Sequence, residues 1–426
     1  TGDAHAFART ATYNMNCASF YGKWMTDIRD AQGEDGAMPD VAPFVEHFGR
    51  GHVFFADGGV ILPWTLYRVY GDKRVIESNY EAMARWIVWM ENDSDENLVR
   101  RSESFGDHLS FGAETPRALI NAAFFAYSVR LMARMAAEIG REEDSVSYGE
   151  LFERLKRSFR ARFVGEDGRV ESETQTAYVL ALMIGLIPKE AERAALRRLV
   201  DDIRQRDWHM TTGFMGVSYI LPLLSEYGET ETAYRLLLQE TFPSWLYPVR
   251  NGATTIWERW DGWNEERGFQ DPEMNSFNHY ALGSVGEWIY RFLVGIDLDD
   301  REAGFRSFRI RPLPGGGISF AGCKYDSLYG RIESDWSIAD DGLTLRVEIP
   351  ANASAEVRLP ARADAEIRVD GAPIVADAGD TGGGAQADGF PEGGLPPEGW
   401  TFVRRDVWAA YFRVGSGRYE FKAAAW

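Results

Sequence analysis

Three tryptophans, Glu258, Arg259 and Asp261 fall within twelve residues, Gly252-Ala-Thr-Thr-Ile-Trp-Glu-Arg-Trp-Asp-Gly-Trp263. Those residue types together suit a carbohydrate. Flat rings stack on the apolar faces of sugars, and ionised carboxylates accept from their hydroxyls. Glu258 is then the candidate general base. Arg259 would orient it and lower its pKa, which suits a carboxylate that must be ionised to take a proton. Trp257 and Trp260 divide between pocket wall and packing. The rival reading of the stretch is a Trp-rich hinge in which Glu258 and Arg259 form a structural ion pair.

Two other segments carry groups able to bind a hydroxyl. Met274-Asn-Ser-Phe-Asn-His-Tyr280 sets His279 at the start of an otherwise apolar run, as a donor or as a satisfied core histidine. Ser104-Phe-Gly-Asp-His-Leu-Ser-Phe-Gly112 places Asp107 beside His108, which could bind a hydroxyl or simply pair with each other. Asp3 lies in the first turn of a predicted helix, where a carboxylate also answers the helix dipole. Phe55 ends a Gly- and Pro-punctuated loop over residues 33 to 56, and its bland reading is core.

The elements that must hold these groups are mostly helices. Two glycines and a Thr-Thr pair make the 252–263 stretch a loop. The opening residues have a helical start, with Thr1 or Asp3 as cap and Phe7, Ala11, Asn14, Ala18, Tyr21 and Met25 at three- and four-residue steps. Helices are predicted over 57–70 and 74–90 as a hairpin, from Thr115-Pro116 to Ile139, then at 143–163, 173–187, 189–206, 213–227, 229–240 and 274–294. About ten helices in antiparallel pairs, with the polar groups at pair boundaries, predict an α/α toroid. Beyond Gly295 the period changes to alternation, as in Leu343-Thr-Leu-Arg-Val-Glu-Ile349, which predicts an antiparallel β-sandwich. The domains are accordingly 1–296 and 297–426. Within the second, Ala376–Gly399 is rich in Gly and Pro and predicts a flexible loop without chemistry.

Composition narrows the partners. The chain has 426 residues, 45% of them hydrophobic, and a formal charge of −19, which opposes binding to nucleic acid or to an anionic membrane surface. Its two cysteines, Cys17 and Cys323, fall in different predicted domains and give neither a disulfide framework nor metal-ligand spacing. Neither a metal nor a cofactor is expected. No apolar run reaches the length of a membrane span. The sequence opens at Thr1 without Met or a signal peptide and is read as beginning inside a longer chain.

Longer motifs carry a family resemblance. Glu240-Thr-Phe-Pro-Ser-Trp-Leu-Tyr-Pro-Val-Arg250, GATTIWERWDGW and MNSFNHYALGSVGEWIY, in that order, resemble the bacterial α-L-rhamnosidases of glycoside hydrolase family 78. TGDAHAFARTATYN, SFGDHLSFG, TQTAYVLALMIGL and YDSLYGRIESDW extend the likeness over nearly the whole chain. The resemblance implies an (α/α)6 barrel of twelve helices, incomplete here at its N-terminus, followed by a β-sandwich. It also implies an inverting hydrolase releasing α-L-rhamnose from glycosides or polysaccharides. Such a reaction needs an acid and a base roughly 6.5–9.5 Å apart. Glu258 matches the base. The acid is the Glu of a Glu-Arg-x-Gly-Trp-Thr-Gly-Asp pattern of which only Thr1, Gly2 and Asp3 are present. Asp3 and His279 match sugar-contacting residues, and Phe55 and His108 stand where tryptophans are usual, which bears on the sugar accepted. The alternatives are an inactive carbohydrate-binding homologue and a polysaccharide lyase, the latter disfavoured by a loop rich in acids.

Overall fold

The computed structural model describes residues 1–101, 104–374 and 399–426. It separates into two compact units, one of Thr1–Tyr67 with Asp72–Val285 and one of Arg68–Gly71 with Gly286–Trp426. Apart from Gly399, the predicted flexible loop lies outside the described residues.

The first unit is a toroid of helical hairpins in which inner and outer helices differ in composition for a physical reason. An inner helix is enclosed on all sides, so Gln175–Ile184 buries every residue but Met183. An outer helix needs only a stripe, and Glu142–Phe163 buries just Leu151, Leu155, Phe159 and Phe163, each four residues after the last. The inner segments are Gly2–Asn14, Gly58–Tyr70, Arg117–Glu138, Gln175–Ile184, Phe214–Glu226 and the run that starts with Ala281–Ser284. Ala18–Asp30, Tyr80–Asn92, Glu142–Phe163, Glu192–Gln205 and Thr230–Leu237 form the outer layer.

Several local expectations are revised. The opening residues form two helices, Gly2–Asn14 and Ala18–Asp30, because Met15 is extended (φ −158°, ψ 162°) and Asn16 accepts the Ala18 N–H at 3.1 Å. The Thr1 side chain makes no capping bond; its hydroxyl donates to the Phe55 carbonyl. Thr115 likewise leaves the cap position to Pro116 and bonds Thr174 at 2.6 Å. The helix expected from 274 to 294 becomes a short 3-10 turn at Pro272–Met274, an irregular stretch, then Ala281–Ser284, Val285–Trp288 and Ile289–Val294 in succession. Residues 276–279 instead lie along the 256–258 loop: Glu258 N donates to Ser276 O (2.9 Å) and His279 N to Ile256 O (3.0 Å).

The second unit is a β-sandwich. One sheet orders Ala372–Pro373, Ile367–Val369, Gly417–Ala423, Gly342–Ile349, Gly330–Ala339 and Phe320–Ser327. The other orders Trp400–Arg405, Ala409–Val414, Ser354–Pro360, Ser307–Ile310 and Ile296–Leu298. Pairing is antiparallel except between Ser307–Ile310 and Ser354–Pro360, which run parallel. Alternation buries one face of several strands, as in Leu343, Leu345, Val347 and Ile349.

Candidate functional site

Of the groups singled out by chemistry, Asp3, Phe55, His108 and His279 come together near the N-terminal ends of inner helices. Asp3 enters from the first turn of Gly2–Asn14, and its Oδ2 lies 3.8 Å from His279 Nε2, beyond hydrogen-bond range. Asp3 Oδ1 and His279 Nδ1 are both buried without a hydrogen-bond partner among the described residues. Buried polar atoms are nearly always satisfied. Left open, each retains its capacity for a ligand, and a satisfied core histidine does not describe His279.

An arc of rings links segments far apart in sequence. Phe55 meets Phe105 (5.3 Å between centroids) and His108 (6.3 Å), His108 meets Phe214 (5.3 Å), Phe214 meets His279 (5.5 Å), and Tyr280 meets Phe7 (5.2 Å). Phe105 is 47% exposed. Neither Phe105 nor Phe214 stood out in the sequence. Phe105 lies in the quoted SFGDHLSFG loop, so its exposed ring beside the Gly-Asp-His turn was the available signal; Phe214 opens an apolar helix and looks like core.

Backbone strain sets Phe55 in place. Phe54 has φ 73°, a left-handed value unfavourable for a bulky residue. Its N–H donates to Asp57 (2.9 Å), and its carbonyl accepts from His5 Nε2 (2.8 Å). Burial pushes the His5 pKa down to about 3, so the ring is neutral and donates from Nε2. Asp57, fully buried, also accepts from Trp86 Nε1 (3.2 Å) and Ser128 Oγ (2.8 Å).

Asp107 does not face the arc with His108. Its Oδ2 accepts from Thr176 Oγ1 (2.5 Å) and Gly213 N (3.0 Å), and its Oδ1 from Met215 N (3.2 Å). It thus caps the helix Phe214–Glu226 from a distant loop, where free N–H groups and the dipole attract an anion. The expected sugar contact and the expected Asp–His pair both give way to this role. Enclosure still raises its pKa to about 6, overriding the three donors that lower it. Burial pushes His108 below its ordinary pKa, against the opposing pull of Asp3 and Glu258. At neutral pH its ring is uncharged.

Glu258 is held at one oxygen only. Oε2 accepts the Ser276 N–H at 2.8 Å, and Oε1 has no protein partner among the described residues. Arg259 does not orient it: Nε and Nη2 fork onto the two oxygens of Asp261 at 2.6 and 3.3 Å, and Gln270 Nε2 adds a third bond to that carboxylate at 2.9 Å. A bidentate fork two residues away outcompetes a neighbour whose carboxylate a backbone donor already fixes. The Glu258–Arg259 ion pair of the hinge reading is absent among the described residues. Trp257 and Trp260, expected against substrate, are only 6% and 5% exposed and pack edge-on to Phe277 (5.1 Å) and Trp245 (5.5 Å). They build the loop rather than line the arc. Among the described residues, no cluster of His, Cys, Asp or Glu could hold a metal ion, and no helix is long and apolar enough to cross a membrane.

Comparisons with known proteins identify the family. The family described as bacterial alpha-L-rhamnosidase 6 hairpin glycosidase domain matches residues 1–293, and the bacterial alpha-L-rhamnosidase C-terminal domain matches 295–372. An alpha-L-rhamnosidase of Streptomyces avermitilis is 43% identical over 421 residues, 99% of this chain and 38% of the relative. One from Formosa agariphila is 35% identical over 366 residues, covering 84% of this chain and 39% of its own. The chain therefore spans about two fifths of the length of these curated relatives. Among solved structures, the Streptomyces avermitilis alpha-L-rhamnosidase complexed with L-rhamnose superposes with a TM-score of 0.89 at 42% identity, over 99% of this chain and 38% of that one. The alpha-L-rhamnosidase from Dictyoglumus thermophilum gives 0.87 at 29%, over 99% and 45%.

Proposed function

Because the chain belongs to the bacterial α-L-rhamnosidase six-hairpin glycosidase family, we propose that it is the catalytic part of an enzyme that releases terminal α-L-rhamnose from glycosides or polysaccharides with inversion. Glu258 is the general base. Its Ser276-anchored Oε2 fixes the carboxylate, and the open Oε1 takes the proton of a water attacking the anomeric carbon. The acid of the pair comes from the motif ending in Thr1-Gly-Asp3, and protonates the leaving oxygen on the opposite face of the sugar.

Asp3 and His279 hold sugar hydroxyls through the atoms left without a partner among the described residues. His108, uncharged at neutral pH, donates or accepts as the hydroxyl requires. Phe55 and Phe105 give apolar faces for stacking. Asp107, Arg259, Trp257 and Trp260 act one step back, holding the loops that carry these groups. The observation that carries the proposal is a carboxylate fixed at one oxygen and open at the other, on a loop whose Ile256 carbonyl accepts the His279 N–H, with Asp3 3.8 Å from that histidine ring.

The test is turnover of p-nitrophenyl α-L-rhamnoside by the full-length protein before and after Glu258→Gln. The amide keeps the shape and loses the base, so kcat/KM is expected to fall about a hundredfold to ten-thousandfold. Unchanged turnover would return the loop to a structural role. The first anomer released, followed by NMR, is expected to be β; an α product would remove the inverting mechanism.

A further inference from the structure

Apart from that site, the helical unit has a cleft of about 540 Å³ between the end of Glu142–Phe163 and the turn at residues 95–99. Arg154, Arg157, Ser158 and Arg162 line it from the helix, and Glu96 and Asn97 from the turn. Positions 154, 157, 158 and 162 recur at helical spacing, so the three guanidinium groups share one face. Among the described residues, Arg154 and Arg157 make no ion pair, and Arg162 lies over the Phe163 ring at 5.2 Å. Among the described residues that line the cleft, Glu96 is the single carboxylate against these three cations. In a chain of net charge −19 such a cleft is a local reversal of sign.

Its walls are fixed without using the arginines. Asp95 Oδ1 accepts the N–H groups of Asn97 and Val99, both at 2.9 Å, and the Asn97 carbonyl accepts the Ser158 hydroxyl. Arg100, at the base of the same turn, donates to Gly51 O at 2.5 Å, and Gly51 begins the short segment that leads to Phe55. Three residues from Asn97 to Arg100, one arginine side chain and four residues from Gly51 to Phe55 set an upper limit of roughly 35 Å between cleft and aromatic arc. One oligosaccharide chain covers that distance.

We infer that this cleft binds carboxylate- or sulfate-bearing units of a polysaccharide whose rhamnose end occupies the Glu258 site. The inference rests on the glycosidase reading above. Guanidinium groups fork onto carboxylate and sulfate oxygens alike and bind them more selectively than a lysine would. Screening confines the repulsion of the distant acidic surface to about 8 Å at physiological salt, so the local cluster governs binding.

The experiment is gel retardation of the protein by immobilised polyanion, with polygalacturonate as the carboxylate probe, dextran sulfate as the sulfate probe and neutral dextran as control. Retardation by at least one polyanion is expected, weakened about tenfold or more by Arg154→Ala with Arg157→Ala. These exposed helical sites tolerate alanine, and turnover of p-nitrophenyl α-L-rhamnoside should not change. Preference for one probe identifies the anion. Equal retardation of protein and double variant, none at all, or equal retardation by duplex DNA overturns the inference. Glu258→Gln leaves retardation intact, so failure of the glycosidase reading registers separately, as unchanged turnover.

Discussion

At the scale of single residues, the site depends on carboxylates with unlike tasks. Glu258 keeps one oxygen open, Asp261 is occupied by Arg259 and Gln270, and Asp107 caps a helix. Asp107 gives a measurable pH signature. Its folded pKa of about 6 stands above the ordinary 3.8, so folding favours its protonated form. That contribution is complete below pH 3.8 and is lost as pH rises through about 6. It is on the order of 3 kcal/mol. When protonated, the carboxyl can donate to Thr176 while Gly213 and Met215 keep an acceptor. Asp107→Asn cannot titrate, so the stability gap between wild type and variant should narrow between pH 4 and pH 6. Denaturant melts at the two pH values measure it, and a gap independent of pH would mean the carboxyl titrates normally.

At the scale of elements, the loops work because helix ends hold them at close range. Gly213 shows the tolerance. A Cβ there would lie 2.2 Å from the His108 carbonyl oxygen, 2.7 Å from Ser110 N and 2.8 Å from Asp107 O. All three are backbone atoms, which no rotamer change can move. Gly213→Ala should therefore cost about 1–3 kcal/mol and displace His108, raising KM for rhamnosides more than it lowers kcat. A melting curve and a KM measurement check both parts; full stability with unchanged KM would mean the loop slides freely. This packing also marks where the sequence stops being informative. Apolar stripes announce outer helices such as Glu142–Phe163, an apolar run announces an inner one such as Gln175–Ile184, and the β alternation after Gly295 is equally plain. The fate of Asp107 is not legible, since its partners lie 69, 106 and 108 residues away. Nor is the unwinding of 274–280, whose apolar spacing suits a helix until Ser276 and His279 find backbone partners in the 256–258 loop. Tryptophan-rich loops invite the same error: indoles that stack well on sugars also fill cores, and Trp257 and Trp260 do the latter.

At the scale of the whole molecule, the groups assigned to the sugar belong to one compact unit, Thr1–Tyr67 with Asp72–Val285. The sandwich strands belong to the other. Two compact units of different construction are expected to unfold in more than one calorimetric step. A ligand stabilises only the unit that binds it, by RT ln(1 + [L]/Kd), about 2.7 kcal/mol at a hundredfold excess over Kd. For a unit of this size that is a rise in Tm on the order of 5 °C. L-Rhamnose, the product of the proposed reaction, should thus raise the helical transition and leave the β transition in place. Gly213→Ala identifies which transition is which, because its clash lies wholly among helical-unit backbone atoms. D-Glucose, with a different array of hydroxyls, serves as the control and should move neither. A joint shift of both transitions would show that the units unfold as one. A shift of the β transition alone would move the sugar site out of the toroid, and with it the roles given to Asp3, His279 and Glu258.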